Sequence, residues 1–193
     1  MNNSQLERLE ERALSSRLVY DGTVVHLYVD RVGLPDGQSA VREYVKHIGA
    51  VAVLPLTAQN EVICVRQYRY AHRCLLTEIP AGKLDSADED HVEAALRELR
   101  EETGALCRRL TYLDMYRSTP AILDEKVDLY LAEELSFGDT DPDDDEFLEV
   151  ERIPLDTLLE RVMQGEITDG KTQVAVLKTC EILRRRAAQK EEL

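Results

Sequence analysis

Three glutamates, Glu98, Glu101 and Glu102, crowd the last turn of a helical pattern in "LRELREETGA" (96–105), just before Gly104. A helix that stops at a glycine ends in partial negative charge, where cations are stabilised and carboxylates repelled. At about 100° per residue the three acids fall within roughly a 100° sector. A positive charge from elsewhere must relieve that repulsion. A divalent cation would supply it, and Mg2+ suits an all-oxygen donor set that shares its shell with water and substrate phosphates. Gly82 in the preceding loop lets backbone approach a ligand closely. The plain alternative is a solvated face with i, i+4 pairs such as Glu93–Arg97, each worth roughly a few tenths of a kcal/mol. Acids gathered at the wrong end of the dipole favour the cation.

The elements that hold these acids follow from periodicity. Val92, Ala95, Leu96, Leu99 and Thr103 recur at i, i+3, i+4 and predict the buried stripe of the helix, with the glutamates flanking it. Upstream, residues 17–32 alternate as a half-buried strand. "LPDGQ" (34–38) is a turn and "AVREYVKH" the return strand, which together predict an N-terminal antiparallel β-hairpin. "GAVAVLPL" (49–56) and "EVICVRQYRY" (61–70) read as a second strand pair, and "LLTEI" (75–79) as a short strand. Beyond the helix, "LTYLDMYRS", "KVDLYLAEEL" and "EFLEVERI" read as strands. Helices follow at about 155–164, opened by Asp156, and at about 172–189. This order predicts an α/β fold with a mixed sheet, residues 47–193, preceded by a strand subdomain over 1–46.

Composition narrows the partners. The 193 residues are 44% hydrophobic and 32% charged, with a net charge of −14. That surplus argues against nucleic acid or an acidic membrane surface as a partner, since nothing general would neutralise phosphates. Cys64, Cys74, Cys107 and Cys180 are scattered without C-x-x-C spacing, and the four histidines form no ligand spacing. No apolar run suits a signal peptide or a membrane span, so the expectation is a cytoplasmic protein. "GDTDPDDDE" (138–146) reads as an exposed loop; it lacks the glycine and spacing of an EF-hand.

"GKLDSADEDHVEAALRELREETGA" resembles the Nudix box, G-x5-E-x7-R-E-U-x-E-E-x-G-U with U aliphatic. Gly82, Glu89, Arg97, Glu98, Leu99, Glu101, Glu102 and Gly104 match it, with one extra residue between Gly82 and Glu89 that falls in the "DSAD" loop. Further segments, "VRQYRY", "EIPAGKL", "STPAILDE", "DDDEFLEV" and "DGKT", are similar to the ADP-ribose pyrophosphatase branch of that family, as is Pro120, sixteen positions beyond Gly104. Ile48, Ala121 and Ile122 depart from its pattern.

The resemblance implies a Nudix-type α/β/α sandwich. It implies Mg2+ ligands at Glu98, Glu101, Glu102 and the Ala81 carbonyl, with Mn2+ as a possible substitute. It assigns Glu146 to the attacking water, and Arg69, Arg42, Glu78 and Asp124 to the substrate. Glu89 and Arg97 would orient the helix rather than touch the metal. The expected reaction is hydrolysis of a small-molecule nucleoside diphosphate, ADP-ribose giving AMP and ribose 5-phosphate. The alternatives are another nucleoside diphosphate sugar such as an ADP-sugar or GDP-mannose, or a non-catalytic ADP-ribose-binding regulator. A hairpin with so little core of its own also predicts a homodimer joined through the N-terminal strands.

Overall fold

In a computed structural model, residues 8–141 and 147–191 are described. The chain divides into two compact units, Met1–Ile48 with Thr119–Glu125, and Gly49–Ser118 with Lys126–Leu193.

The first unit is a three-stranded antiparallel meander of β1 (Arg12–Asp21), β2 (His26–Gly33) and β3 (Ser39–Lys46). The expected hairpin is present as β2 and β3, joined by the Leu34–Gln38 turn, in which the Leu34 N–H donates to the Gln38 carbonyl at 2.8 Å. The single strand expected over 17–32 is corrected to two. Asp21 and Gly22 open a turn that the apolar residues around it mask, and the Gly22 N–H bonds the Val25 carbonyl at 2.9 Å. Every residue of β1 is exposed, whereas Asp30 and Val32 on β2 are buried. Tyr28 stacks on Tyr44 across the β2–β3 ladder, with ring centroids 5.4 Å apart. The segment 119–125 joins β3 through the Val45 N–H and the Ile122 carbonyl at 2.8 Å.

The second unit is built on β4 (Ala50–Pro55), buried along its whole length. Its unbroken apolar run suits a strand covered on both faces. It lies in a mixed sheet of order β7-β4-β9-β8, made with β7 (Ala81–Lys83), β8 (Ala105–Tyr116) and β9 (Val127–Phe137). The β4–β9 pair is parallel, Ala50 opposite Val127, and the other two are antiparallel. A second, antiparallel sheet has the order β10-β5-β6, from β10 (Leu148–Pro154), β5 (Glu61–Arg69) and β6 (Cys74–Glu78). The expected pairing of β4 with β5 is therefore corrected: only a Leu56–Val62 bridge joins them before they part into different sheets.

Alternation along β4 makes two cores. Ala50, Ala52 and Leu54 face α2 (Leu155–Met163) and α3 (Gly170–Glu191), where Leu158, Val162 and Val176 are buried. Val51 and Val53 face α1 (His91–Thr103) through Ala94, Ala95 and Leu99. The result is the α/β/α sandwich. Asp156 sits in the first turn of α2 rather than capping it; the cap position is Pro154, which makes no side-chain bond.

Candidate active site

The acidic helix α1 has defined ends. Asp90 caps it, its Oδ1 accepting from the N–H groups of Val92 at 2.8 Å and Glu93 at 3.1 Å. Gly104 closes it in the left-handed conformation (φ 67°), its N–H donating to the Arg100 carbonyl at 2.8 Å. Two more carbonyls at this end find donors in the segment that follows β9: Gly138 N–H bonds the Gly104 carbonyl at 2.8 Å and Asp141 N–H the Glu101 carbonyl at 3.0 Å.

The buried stripe is rotated from the one periodicity predicts. It consists of Ala94, Ala95, Glu98, Leu99, Glu102 and Thr103, while Val92 is 43% exposed. Two carboxylates thus lie within the stripe instead of beside it, Glu102 with only 2% of its surface exposed. Burying carboxylates costs several kcal/mol each unless polar or cationic groups meet them. Both meet β7. A Cβ on Gly82 would overlap the Glu98 carboxylate, so the glycine makes a cradle for it. Glu102 Oε2 accepts the Ala81 N–H at 3.2 Å.

Arg97 supplies positive charge to the acids. Its Nη1 donates to Glu98 Oε1 at 2.8 Å and Glu101 Oε2 at 3.0 Å, and its Nε and Nη2 reach Glu89 Oε1, each at 3.3 Å. Burial works to lower the Arg97 pKa, and Glu98 and Glu101 more than reverse that. No ion pair forms between Glu93 and Arg97 among the described residues; the arginine turns inward instead. Glu89 also accepts the Asp85 N–H at 2.6 Å, which ties the loop carrying the extra residue to α1.

Among the described residues no three of His, Cys, Asp and Glu converge as a ready metal site. The donor chemistry nevertheless fits a hard divalent cation: buried carboxylate oxygens of Glu98 and Glu102, packed on the Ala81–Gly82 backbone, with Glu101 one turn away. The thiols contribute nothing of this kind, and burial pushes Cys64 up to about 12.

Arg69, at the end of β5, and Glu78, at the end of β6, are brought together. Their bond is bidentate, Nε to Oε1 at 2.7 Å and Nη2 to Oε2 at 2.8 Å. Glu78 raises the Arg69 pKa, with smaller contributions from Glu102 and Asp169, which puts the arginine in the field of the acidic helix. Burial drives the Glu78 pKa upward, but Arg69 and Lys171 outweigh it and hold it at about 2. Sequence reasoning gives Lys171 no role; its signal is the "DGKT" segment.

Arg42 and Asp124 lie in the first unit and are engaged there. Arg42 pairs with Glu11, Nε to Oε2 at 2.9 Å, and Asp124 Oδ1 accepts the His47 N–H at 2.6 Å. Glu146 falls outside the described residues; Asp141 before it is bonded to Glu101, and Leu148 after it pairs with Gln67.

This sandwich and its box helix define the class: residues 46–172 match the NUDIX domain, and the chain belongs to that family. Its members generally need divalent metal ions. The chain is 41% identical over 173 residues to the ADP-ribose pyrophosphatase of Bacillus subtilis, covering 89% of this chain and 93% of that protein. It is 40% identical over 169 residues to the methanol dehydrogenase activator of Bacillus methanolicus, covering 86% and 91%. A solved structure described as an ADP compounds hydrolase shares the fold, with a TM-score of 0.81 at 22% identity, covering 92% of this chain and 97% of that one. No helix of the described residues is long and apolar enough to cross a membrane.

Proposed function

We propose that this chain hydrolyses the diphosphate of ADP-ribose to AMP and ribose 5-phosphate, with Mg2+ bound by Glu98, Glu101, Glu102 and the Ala81 carbonyl, and Mn2+ as a substitute. The observation that carries the reading is the pair of buried carboxylates, Glu98 and Glu102, packed on the Ala81–Gly82 backbone beside an arginine. The choice of ADP-ribose is supported by the name of the 41%-identical relative over nearly the whole chain.

A divalent cation held by Glu98, Glu101, Glu102 and the Ala81 carbonyl would supply positive charge against the diphosphate and lower the pKa of the attacking water. The chain's own residues do the rest. Arg69 presents to the diphosphate the guanidinium edge that Glu78 leaves open. Glu146 takes a proton from the water as its oxygen bonds phosphorus and the bridging P–O bond breaks. Arg97 holds Glu98 and Glu101 in place and is itself held by Glu89. Arg42, Glu78 and Asp124 are assigned to substrate positioning.

The protein is proposed to act as a homodimer in the cytoplasm. Strand β1 exposes every residue and the first unit buries little, so a second copy is its natural cover. Four free thiols suit a reducing compartment.

A second reading, regulation of another enzyme without turnover, is favoured by the relative named as a methanol dehydrogenase activator. One experiment separates the two. The protein is incubated with Mg2+ and a panel including ADP-ribose, ADP-glucose, GDP-mannose and a dinucleoside polyphosphate, and products are identified by mass. AMP and ribose 5-phosphate, formed fastest from ADP-ribose and absent with Glu102→Gln, are expected; binding without products would leave the regulatory reading.

A further inference from the structure

We propose that Lys171 is a positioning residue that fixes the diphosphate-facing edge of Arg69 by way of Glu78. The inference rests on the reading of Arg69 as a diphosphate ligand.

Strand register does not by itself bring Arg69 to Glu78. Arg69 lies opposite Cys74, whereas Glu78 lies opposite Val65, four residues back along β5 and so about 13 Å away along the strand. The two side chains meet only by extending toward each other past the Gln67–Leu76 pair. An extended arginine gives up rotamer freedom, so something must hold it. Glu78 does, through both carboxylate oxygens. This occupies Nε and Nη2, and among the described residues Nη1 has no hydrogen-bond partner.

Glu78 is held in turn. Only 2% of it is exposed, and Lys171 Nζ donates to its Oε2. Lys171 is fixed from behind by Asp169 Oδ1 at 3.0 Å. Asp169 Oδ2 accepts the Thr172 N–H at 3.0 Å and its hydroxyl at 2.5 Å. The fully buried Thr172 Oγ1 then accepts the Ile79 N–H at 2.9 Å, one residue beyond Glu78. The "DGKT" turn is therefore fastened to β6 beside the carboxylate that Lys171 grips.

A turn that served only to dock α3 on the sheet would need no more than Asp169 and Thr172. The second cation on Glu78 matters when an anion arrives. A diphosphate draws on the charge of Arg69, and a carboxylate buried against that arginine alone would lose part of its compensation. Uncompensated buried charge is costly. Lys171 keeps Glu78 neutralised while Arg69 is shared, so the arginine can bind the substrate without leaving its brace.

The test is steady-state kinetics of Lys171→Met and Lys171→Arg on whichever panel compound wild type cleaves best, with melting temperatures recorded. Lys171→Met should raise KM about tenfold or more while kcat changes less than about threefold, and Lys171→Arg should restore KM to within about threefold. Calorimetric binding of α,β-methylene-ADP with Mg2+ should weaken by a similar factor, a readout that does not depend on turnover. Should Lys171→Met fold poorly, Lys171→Gln takes its place in both measurements. Unchanged KM and unchanged analogue binding in a folded variant would overturn the proposal, as would a fall in kcat alone. Wild type that neither cleaves nor binds any diphosphate compound would overturn the functional reading itself, and this inference with it.

Discussion

The carboxylate of Glu98 rests against the α-carbon of Gly82, in the space a side chain would otherwise fill. Gly82→Ala should push that carboxylate off the β7 backbone while leaving the rest of α1 packed through Ala94, Ala95 and Leu99. The expected result is a rise of about tenfold or more in the Mg2+ needed for half-maximal activity. Metal titration of the initial rate, with circular dichroism as a check on folding, measures it. An alanine variant with wild-type metal dependence would show that Glu98 takes no part in holding the cation.

Glu78 makes stability depend on pH. Burial raises its pKa, but Arg69 and Lys171 hold it at about 2, against an ordinary value of 4.5. A carboxyl whose pKa is lowered on folding stabilises the native state above its unfolded pKa, and loses that contribution as pH falls through the folded one. The window here runs from about pH 4.5 down to about 2, and the contribution is on the order of 3 kcal/mol. Urea unfolding of wild type and Glu78→Gln across that range should show the wild-type advantage shrinking. Parallel pH profiles would refute the assignment.

Leu14 and Leu18 on β1 are 61% and 42% exposed. If a second copy covers them, Leu14→Glu combined with Leu18→Glu should turn the dimer into a monomer at micromolar concentration. Light scattering decides the matter, and a wild-type protein that is already monomeric and fully active rules the dimer out.

Glu146 is expected to take the proton from water, so Glu146→Gln should lower kcat by about 10²–10⁴-fold with KM and Mg2+ affinity little changed. Asp144→Asn, which removes a neighbouring charge, should do almost nothing. Equal and mild losses in both variants would move the base to the box glutamates, whereas partial recovery with excess Mg2+ would make Glu146 a further metal ligand.

What could be read from the sequence was what depends on near neighbours. The stop at Gly104, the helix carrying Glu98, Glu101 and Glu102, and most strands follow from local pattern. The rotation of the α1 stripe did not, because periodicity counts a glutamate as polar and places it outside the core. The Ala81–Gly82 backbone, brought in by β7, and the Arg97 guanidinium turned inward onto Glu98 are what meet these buried carboxylates. The partners of β4 were hidden for a related reason. Its nearest strand in sequence is β5, yet a strand buried on both faces gains more from β9. Lys171 went unassigned because its partner Glu78 lies 93 positions away.

The β4–β9 pairing also sets a schedule for synthesis. Ala50 and Val127 face each other across that ladder, 77 residues apart in the chain. At about 5–20 residues per second, a ribosome needs roughly 4–15 s between delivering one and delivering the other. For that interval the apolar run "AVAVLP" has no parallel partner, and such runs are the segments that associate with other nascent chains. The strand that organises the finished sandwich thus waits for its parallel partner until most of the chain has been made.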